Sequence, residues 1–400
     1  MVFALGFALF ALGITISIAL HECGHMWAAQ ATGMKVRRYF IGFGPKVFSF
    51  RRGETEYGLK ALPLGGFCDI AGMTALDELE PEDVDRAMYR QATWKRLVVM
   101  FGGIAMNFLL GFILLVVLAI GWGLPQLEQP PATALGNMSC VAQETPEKTL
   151  APCTGDGPAQ RAGLRRGDVV KAVNGVEVTT WAQFQAETQK QTGTFTYTIE
   201  RAGETLTVPV TPERVMRSPK EGPAREVSAV GVGPDTVAPP EQYGPIAAIP
   251  ATISFTGDFF VETVKSLAKM PQKVTALWEA VTGGERDPET PVSVYGASRI
   301  GGETAERGLW GVFILVLASL NFFLGAFNLL PLLPLDGGHI AVVLYEKVRD
   351  TIRSWRGKAP AGPVDYLKLL PVTYVAVVIG GAFMLLTLAA DIVNPITLGP

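Results

Sequence analysis

Two histidines and a glutamate lie together near the start of this 400-residue chain. His21 and His25 are four positions apart. On a helix their imidazoles therefore lie one turn apart on the same face and can bind one metal ion. Glu22, beside them, is placed to take a proton from a water molecule at that ion. Because the chain has only 3 histidines, this spacing indicates a metal site with an adjacent base.

The stretch HECGH has the HExxH pattern of zinc peptidases, in which Zn²⁺ lowers the pKa of a water molecule and the glutamate accepts its proton. Residues 1–20, which precede it, carry no charged side chain. Ionisable residues inside such a membrane segment are usually functional. A structural alternative is that both histidines are only hydrogen-bonded at a helix end.

A catalytic zinc ion needs a third protein ligand, and the stretch FNLLPLLPLDGGHI contains the candidates. Asp336 follows two prolines and precedes a glycine pair, so the helix is broken there. Irregular backbone at membrane depth is tolerated mainly where it is buried in protein or lines a polar cavity. We expect Asp336 to be the third ligand, with His339 as the alternative.

Four uncharged segments are long enough to cross about 30 Å of hydrocarbon: residues 1–20, 97–127, 308–335 and 369–390. The first lacks a basic start and a small-residue cleavage site, which favours a retained span over a signal peptide. Together with 48% hydrophobic residues, these segments predict a membrane protein. The net charge of −3 argues against a nucleic-acid partner.

The distribution of lysine and arginine predicts the orientation. Residues 26–96 contain 11 and residues 337–368 contain 6, against 17 in the much longer stretch 125–307. The positive-inside rule then makes the two shorter loops cytoplasmic, with the long stretch and both termini outside. This topology brings Asp336 to the membrane face that His21 and His25 occupy.

Cysteine positions agree with this topology. Cys140 and Cys153 lie in the outer stretch, where a disulfide is allowed, although spacing alone does not decide whether they pair. Cys23 and Cys68 lie on or near the reducing side and are expected to be free thiols.

Residues 46–50 and 57–61 are expected to form a β-hairpin around a turn at 52–54. Farther along, DGPAQRAGLRRGDVVKAVNGVEV and the two alternating strands after it resemble a bacterial PDZ domain. Such a domain implies a groove for peptides; its alternative role is that of a spacer or steric filter. Residues 212–242 are typical of a linker, and an amphipathic helix follows, with Phe259, Phe260, Val264, Leu267 and Met270 on one face and Pro271 ending it.

Four features together resemble the site-2 protease family of intramembrane zinc metalloproteases: HECGH, GFGP with its hairpin, the PDZ-like stretch and NLLPLLPLDGG. The arrangement is most similar to bacterial members that activate sigma factors by cutting membrane-bound anti-sigma factors. Many Gram-negative relatives carry two tandem PDZ domains, and only one is visible here.

The resemblance implies Zn²⁺ bound by His21, His25 and Asp336, with Glu22 as the base. It also implies that Asn328 holds substrate or the developing oxyanion, its alternative being a hydrogen bond between helices. The element near the substrate would be GFGP, that is Gly42, Phe43, Gly44 and Pro45; the alternative is an interfacial ribbon without substrate contact.

The predicted fold is therefore a polytopic α-helical membrane protein with four transmembrane helices, a membrane-associated β-hairpin and an extracytoplasmic PDZ-like α+β domain. The predicted divisions are 1–127 (two spans and the hairpin), 128–215 (PDZ-like), 216–307 (linker and amphipathic helices) and 308–400 (two spans and a cytoplasmic amphipathic loop). The expected function is zinc-dependent cleavage of single-pass transmembrane segments, trimmed beforehand outside, in the bacterial inner membrane. A catalytically silent scaffold that presents the PDZ-like domain, or a transporter, is the alternative.

Overall fold

A computed structural model of the chain describes residues 1–127, 131–143, 151, 153–217, 225–235 and 239–398. The chain divides into two units, one formed by Met1–Leu124 with Glu241–Pro400 and the other by Pro125–Pro240. We call them the membrane unit and the insert unit.

Within the described residues the α-helices are α1 (Val2–Ala31), α2 (Thr93–Gly121), α3 (Pro158–Arg161), α4 (Trp181–Lys190), α5 (Pro245–Lys269), α6 (Lys273–Val281), α7 (Val294–Glu306), α8 (Trp310–Asn328), α9 (Asp336–Trp355) and α10 (Leu370–Val393). The strands are β1 (Val36–Arg52), β2 (Thr55–Ile70), β3 (Leu135–Met138), β4 (Val169–Val173), β5 (Val176–Glu177), β6 (Phe195–Arg201), β7 (Glu204–Val210), β8 (Glu213–Arg217), β9 (Arg225–Ala229) and β10 (Val232–Pro234).

Four helices, α1, α2, α8 and α10, are long and apolar enough to cross a membrane. The prediction of a polytopic helical membrane protein is thereby confirmed, but two ends differ. Helix α1 continues through the HECGH motif to Ala31, because Gly24 keeps a helical backbone at its contact with α2 and the first glycine with a positive φ after residue 20 is Gly33, at +86°. Helix α8 ends at Asn328, since Pro331 and Pro334 cannot continue it.

Helices α1 and α2 approach each other closely beside the motif. A Cβ added at Gly24 would overlap the carbonyl of Gly102, and one at Gly102 would overlap the backbone of Gly24. Small residues let helix backbones come together in this way. On the α8 side, the Asn321 amide donates to Ser17 Oγ at 3.0 Å. The histidine-bearing part of α1 is therefore held between two other helices.

Strands β1 and β2 pair and bend, so that residues 38–41 have partners on both sides. Tyr39, for example, lies opposite both Tyr57 and Cys68. Its hydroxyl donates to the carbonyl of Ala19 at 2.7 Å, which ties the ribbon to α1. The turn between the strands lies at residues 53–54, and Phe50 lies opposite Tyr57, as the sequence pattern predicts.

The amphipathic helix begins earlier than its apolar pattern indicates, at Pro245, and a 3₁₀ turn at Met270–Gln272 separates it from α6. Its aromatic residues pack on two spans: the rings of Phe260 and Phe108 lie 5.7 Å apart, and those of Phe259 and Phe322 lie 5.4 Å apart. Helix α5 therefore packs against α2 and α8.

The insert unit contains a four-stranded sheet in the order β5-β4-β6-β7 and two-stranded pairs of β3 with β10 and β8 with β9. Its apolar core surrounds the fully buried ring of Tyr197. The unit extends beyond the predicted limits of 128–215, and residues 128–130 lie outside the described part.

The prediction of a linker at 212–242 is wrong for its described part, where β8, β9 and β10 lie. Val215 and Val227 pair across β8 and β9 and are buried, next to Arg214 and Glu226. These short strands show no clear two-residue alternation in sequence, so the surrounding Pro, Gly and charged residues favoured a linker. Residues 218–224 and 236–238 of the predicted linker lie outside the described residues.

Cys140 and Cys153 are joined by a disulfide, with their Cα atoms 5.9 Å apart. Cys23 and Cys68 are free thiols. The pairing that spacing left open is therefore present in the structure.

This pairing predicts the alkylation pattern of the unreduced, denatured protein. We expect iodoacetamide to label Cys23 and Cys68 but neither Cys140 nor Cys153, because a disulfide sulfur is not a nucleophile. Peptide mass spectrometry reads the labels, and a reduced sample, in which all four positions should be labelled, is the control. Labelling of both Cys140 and Cys153 without reduction would contradict the pairing.

Candidate metal centre

His21, His25 and Asp336 come together although more than three hundred residues separate the motif from the aspartate. The Oδ2 atom of Asp336 lies 3.2 Å from Nε2 of His21 and 3.3 Å from Nε2 of His25. The two Nε2 atoms are 3.2 Å apart. All three residues are largely buried. The three atoms thus form a nearly equilateral triangle.

Asp336 reaches this position because it is the first residue of α9, directly after an irregular segment at residues 329–335. The glycine pair that follows is required sterically. A Cβ at Gly337 would overlap the carbonyls of Leu329 and Leu330, and one at Gly338 would overlap the backbone of Leu332 and Leu333. The segment can therefore fold back over the start of α9 and turn the carboxylate towards α1.

The triangle fits a tetrahedral zinc site. Bonds of about 2.0–2.1 Å place the ligand atoms of a tetrahedral Zn²⁺ ion ~3.3 Å apart. Oδ2 of Asp336 is buried and has no hydrogen-bond partner among the described residues. A Cβ at Gly103 would overlap Nε2 of His25 and lie 2.8 Å from Nε2 of His21, so a glycine keeps the space beside both atoms open.

Helix α2 orients both imidazoles. Nδ1 of His25 lies 2.8 Å from the carbonyl oxygen of Val99 and donates to it, which leaves Nε2 free for a cation. Nδ1 of His21 lies 3.1 Å from Nδ2 of Asn107. With a cation on Nε2, this Nδ1 carries the proton. A 180° rotation of the Asn107 amide then exchanges its nitrogen for Oδ1, which has no partner among the described residues and can accept that proton.

Comparison with known proteins agrees with this geometry. The model of peptidase family M50 matches residues 9–372. The chain belongs to peptidase family M50. Zinc metalloprotease Rip1 of Mycolicibacterium smegmatis is 54% identical over 404 residues, and the protein of the same name from Mycobacterium tuberculosis (strain H37Rv) is 53% identical over 403; each match covers 100% of both chains. A putative zinc metalloprotease of Mesorhizobium japonicum is 30% identical over 343 residues, 82% of this chain and 85% of that protein.

This M50 chain is therefore an intramembrane metalloprotease, and neither a silent scaffold nor a transporter. Four apolar helices and a buried histidine and aspartate cluster are the features that such an enzyme needs.

Glu22 of this M50 peptidase faces the ribbon. A Cβ built on Gly66 of β2 would lie 3.2 Å from Cγ of Glu22. The part of the ribbon beside Glu22 is therefore at Gly66, which lies outside the predicted hairpin strands at residues 46–50 and 57–61.

The other predicted site residues are His339, Asn328 and Gly42 to Pro45. His339 is not one of its members: Nδ1 lies 3.1 Å from the hydroxyl of Tyr366, and the two rings are stacked. Asn328 is the last residue of α8, half-buried, with no hydrogen bond from its side chain to the described residues. Gly42 to Pro45 form the corner of β1, with φ +88° at Gly42 and +84° at Gly44, and Phe43 contacts Gly65.

Sequence reasoning missed the contribution of α2, namely Val99, Gly103 and Asn107. A buried asparagine within an apolar span is a signal in itself, since such side chains need a partner. No pattern in one sequence identifies that partner as His21.

Asn107→Ala should weaken zinc binding by about 10–100-fold, because the imidazole of His21 loses the group that fixes its tautomer. Zinc affinity is measured by competition with a chromogenic chelator on purified, folded protein. Asn321→Ala is the matched control: it also removes a buried asparagine of a span, but one that bonds to Ser17 and α8. Equal zinc affinity in both variants would contradict the role given to Asn107.

Proposed function

We propose that the protein is a zinc-dependent intramembrane endopeptidase whose zinc ion is held by His21, His25 and Asp336. The observation that carries this proposal is the buried triangle of Nε2, Nε2 and Oδ2 atoms with 3.2–3.3 Å edges, whose two histidines lie with Glu22 on a helix apolar enough to span a membrane. Zinc, when bound, supplies a Lewis acid that polarises water and the scissile carbonyl.

Glu22 is proposed as the general base. It follows His21 directly on α1 and is only partly buried, so it is placed to take a proton from the attacking water and to return it to the leaving amine. Asn328 lies at the start of the segment that leads to Asp336, and its side-chain amide makes no hydrogen bond to the described residues. That amide supports a role in holding the substrate carbonyl as negative charge develops on its oxygen.

The substrate must be unwound before it can be cut, because the peptide bonds of a helix are shielded by its own hydrogen bonds. We propose that β2 captures the unwound segment by strand addition. Residues 66–70 pair with residues 36–41 on one side, and Glu22 lies next to them. This edge is favoured over residues 46–61, and Gly42 to Pro45 shape the corner beside it.

The insert unit is proposed to be a PDZ-like module. A cavity of about 1070 Å³ lies between α4 and the stretch that leads from β9 into β10, with Trp181, Gln185 and Val230 among its lining residues. A groove between a helix and a strand suits an extended peptide. The module would help to exclude substrates whose outer part has not been trimmed.

The substrates are proposed to be single-pass membrane proteins, with anti-sigma factors as the class that the family resemblance favours. The excess of lysine and arginine in residues 26–96 and 337–368 supports a metal site near the cytoplasmic face and termini outside. Water can then reach the site without crossing the bilayer.

Glu22→Gln should retain zinc but lower cleavage by about 10²–10⁴-fold, since the amide keeps the shape but cannot accept the proton. A panel of labelled single-pass segments, incubated with purified protein in detergent, measures cleavage while zinc is quantified in parallel. Glu80→Gln, at an exposed glutamate, is the control. Normal turnover by Glu22→Gln would contradict the role of Glu22 as the general base.

Asp336→Ala and His339→Ala should differ in metal content. The first removes a corner of the triangle and should lower bound zinc strongly, whereas His339 contacts Tyr366 instead and its loss should leave zinc bound. Metal analysis of the purified variants distinguishes the two. Full zinc in Asp336→Ala with loss in His339→Ala would reassign the third ligand.

A further inference from the structure

A buried ion pair joins α2 to α9 away from the reacting atoms. Nη1 of Arg96, in the first turn of α2, donates to Oε2 of Glu346 at 2.6 Å. Both side chains are only 9% exposed. Nε of Arg96 is buried with no partner among the described residues, so the pair is not fully compensated.

Such a pair is a poor source of stability. Desolvation of two charges offsets most of their attraction, and apolar residues of similar size often serve stability as well or better. The best-attested use of a buried polar pair is to fix how two elements align. In the apolar cluster that α9 shares with α2, the contribution of α9 is Ile340, packed among residues that include Val99 and Met100. Apolar contact is non-directional and allows one helix to slide or rotate on another.

Helix α2 already orients the two histidines, through the Val99 carbonyl and the Asn107 amide. The Arg96 side chain connects the same helix to α9, whose first residue is Asp336. Glu346 lies about three helical turns after Asp336 on one continuous helix. A shift or rotation of α9 at Glu346 would therefore displace the Asp336 carboxylate as well.

Glu346 also holds the chain that follows α9. Its Oε1 accepts the backbone N–H of Val364 at 2.7 Å. Tyr366, two residues after Val364, contacts His339, and His339 lies one helical turn after Asp336 on α9. One carboxylate thus ties α9 both to α2 and to the segment that leads into α10.

We propose that Arg96 and Glu346 are positioning residues, whose ion pair sets the register of α9 and so holds the Asp336 carboxylate at the corner of the metal triangle. This inference rests on the proposed zinc centre. It assigns to α2 the orientation of all three candidate ligands.

The test uses the full-length protein in detergent and compares zinc dissociation, followed with an excess of a chromogenic chelator. The visible spectrum of the Co²⁺-loaded protein provides a second reading, since it reports ligand geometry without any turnover. The main variant is Arg96→Met with Glu346→Met, which removes both charges together and leaves neither one buried alone. Glu346→Gln alone is the second variant.

The matched control is Asp391→Asn. It breaks another buried ion pair of the membrane unit, Arg286 with Asp391 at 2.9 Å, which ties α10 to the chain before α7 and holds no candidate ligand. Thermal unfolding of every variant shows whether a change in zinc dissociation comes from loss of the fold or from misalignment of α9.

We expect the double methionine variant to fold, to release zinc about 10–100-fold faster than wild type, and to show an altered Co²⁺ spectrum, while Asp391→Asn keeps the wild-type rate and spectrum. Wild-type zinc release and spectrum in the folded double variant would overturn the inference and leave the pair a structural one. If wild-type protein does not bind zinc, or binds it equally well after His21→Ala, the proposed metal centre fails instead, and the two failures are distinguishable.

Discussion

The structure depends on one constraint: polar side chains inside an apolar helix bundle need polar partners from the neighbouring helix. Helix α1 carries two buried imidazoles, and α2 supplies the polar partners that they require. This is possible only because the two backbones nearly touch at Gly24 and Gly102. A wider separation would put the Val99 carbonyl out of reach of His25 and leave a buried donor unsatisfied.

The same constraint explains where the backbone becomes irregular. The segment between α8 and α9 and the corner of β1 both break regular structure, and both rely on glycines that permit backbone-to-backbone contact. Gly337 lies against the carbonyls of Leu329 and Leu330, and Gly42 against those of Lys60 and Leu62. The proposed mechanism places a carboxylate ligand and a strand edge beside one another. Helices alone do not provide the strand edge, since it presents main-chain groups that a helix uses internally.

Much of this could be predicted from sequence because the signals are local. The number of spans follows from apolar length, the His21 and His25 pair from helical periodicity, and the break before Asp336 from two prolines. The contacts of Asn107 and Arg96 could not be predicted, because each depends on the helix that lies opposite, which a single sequence does not identify. The strands around Val215 and Val227 were missed for a different reason: two five-residue strands in a Pro-rich and charged stretch show no clear two-residue period.

Two buried ion pairs in the described part of the membrane unit show the difference between aligning a helix and attaching it. The Arg286 and Asp391 pair lies at the end of α10, where Asp391 also accepts the backbone N–H of Ser293. It fixes a helix that carries no candidate ligand and is otherwise mostly exposed. The Arg96 and Glu346 pair fixes a helix whose first residue is a candidate ligand. Both pairs cost similar desolvation, so stability alone does not explain why each is placed where it is. Their positions are explained by what the attached helix carries: α10 needs only to stay in the bundle, whereas α9 must present Asp336 within a few tenths of an ångström of one point.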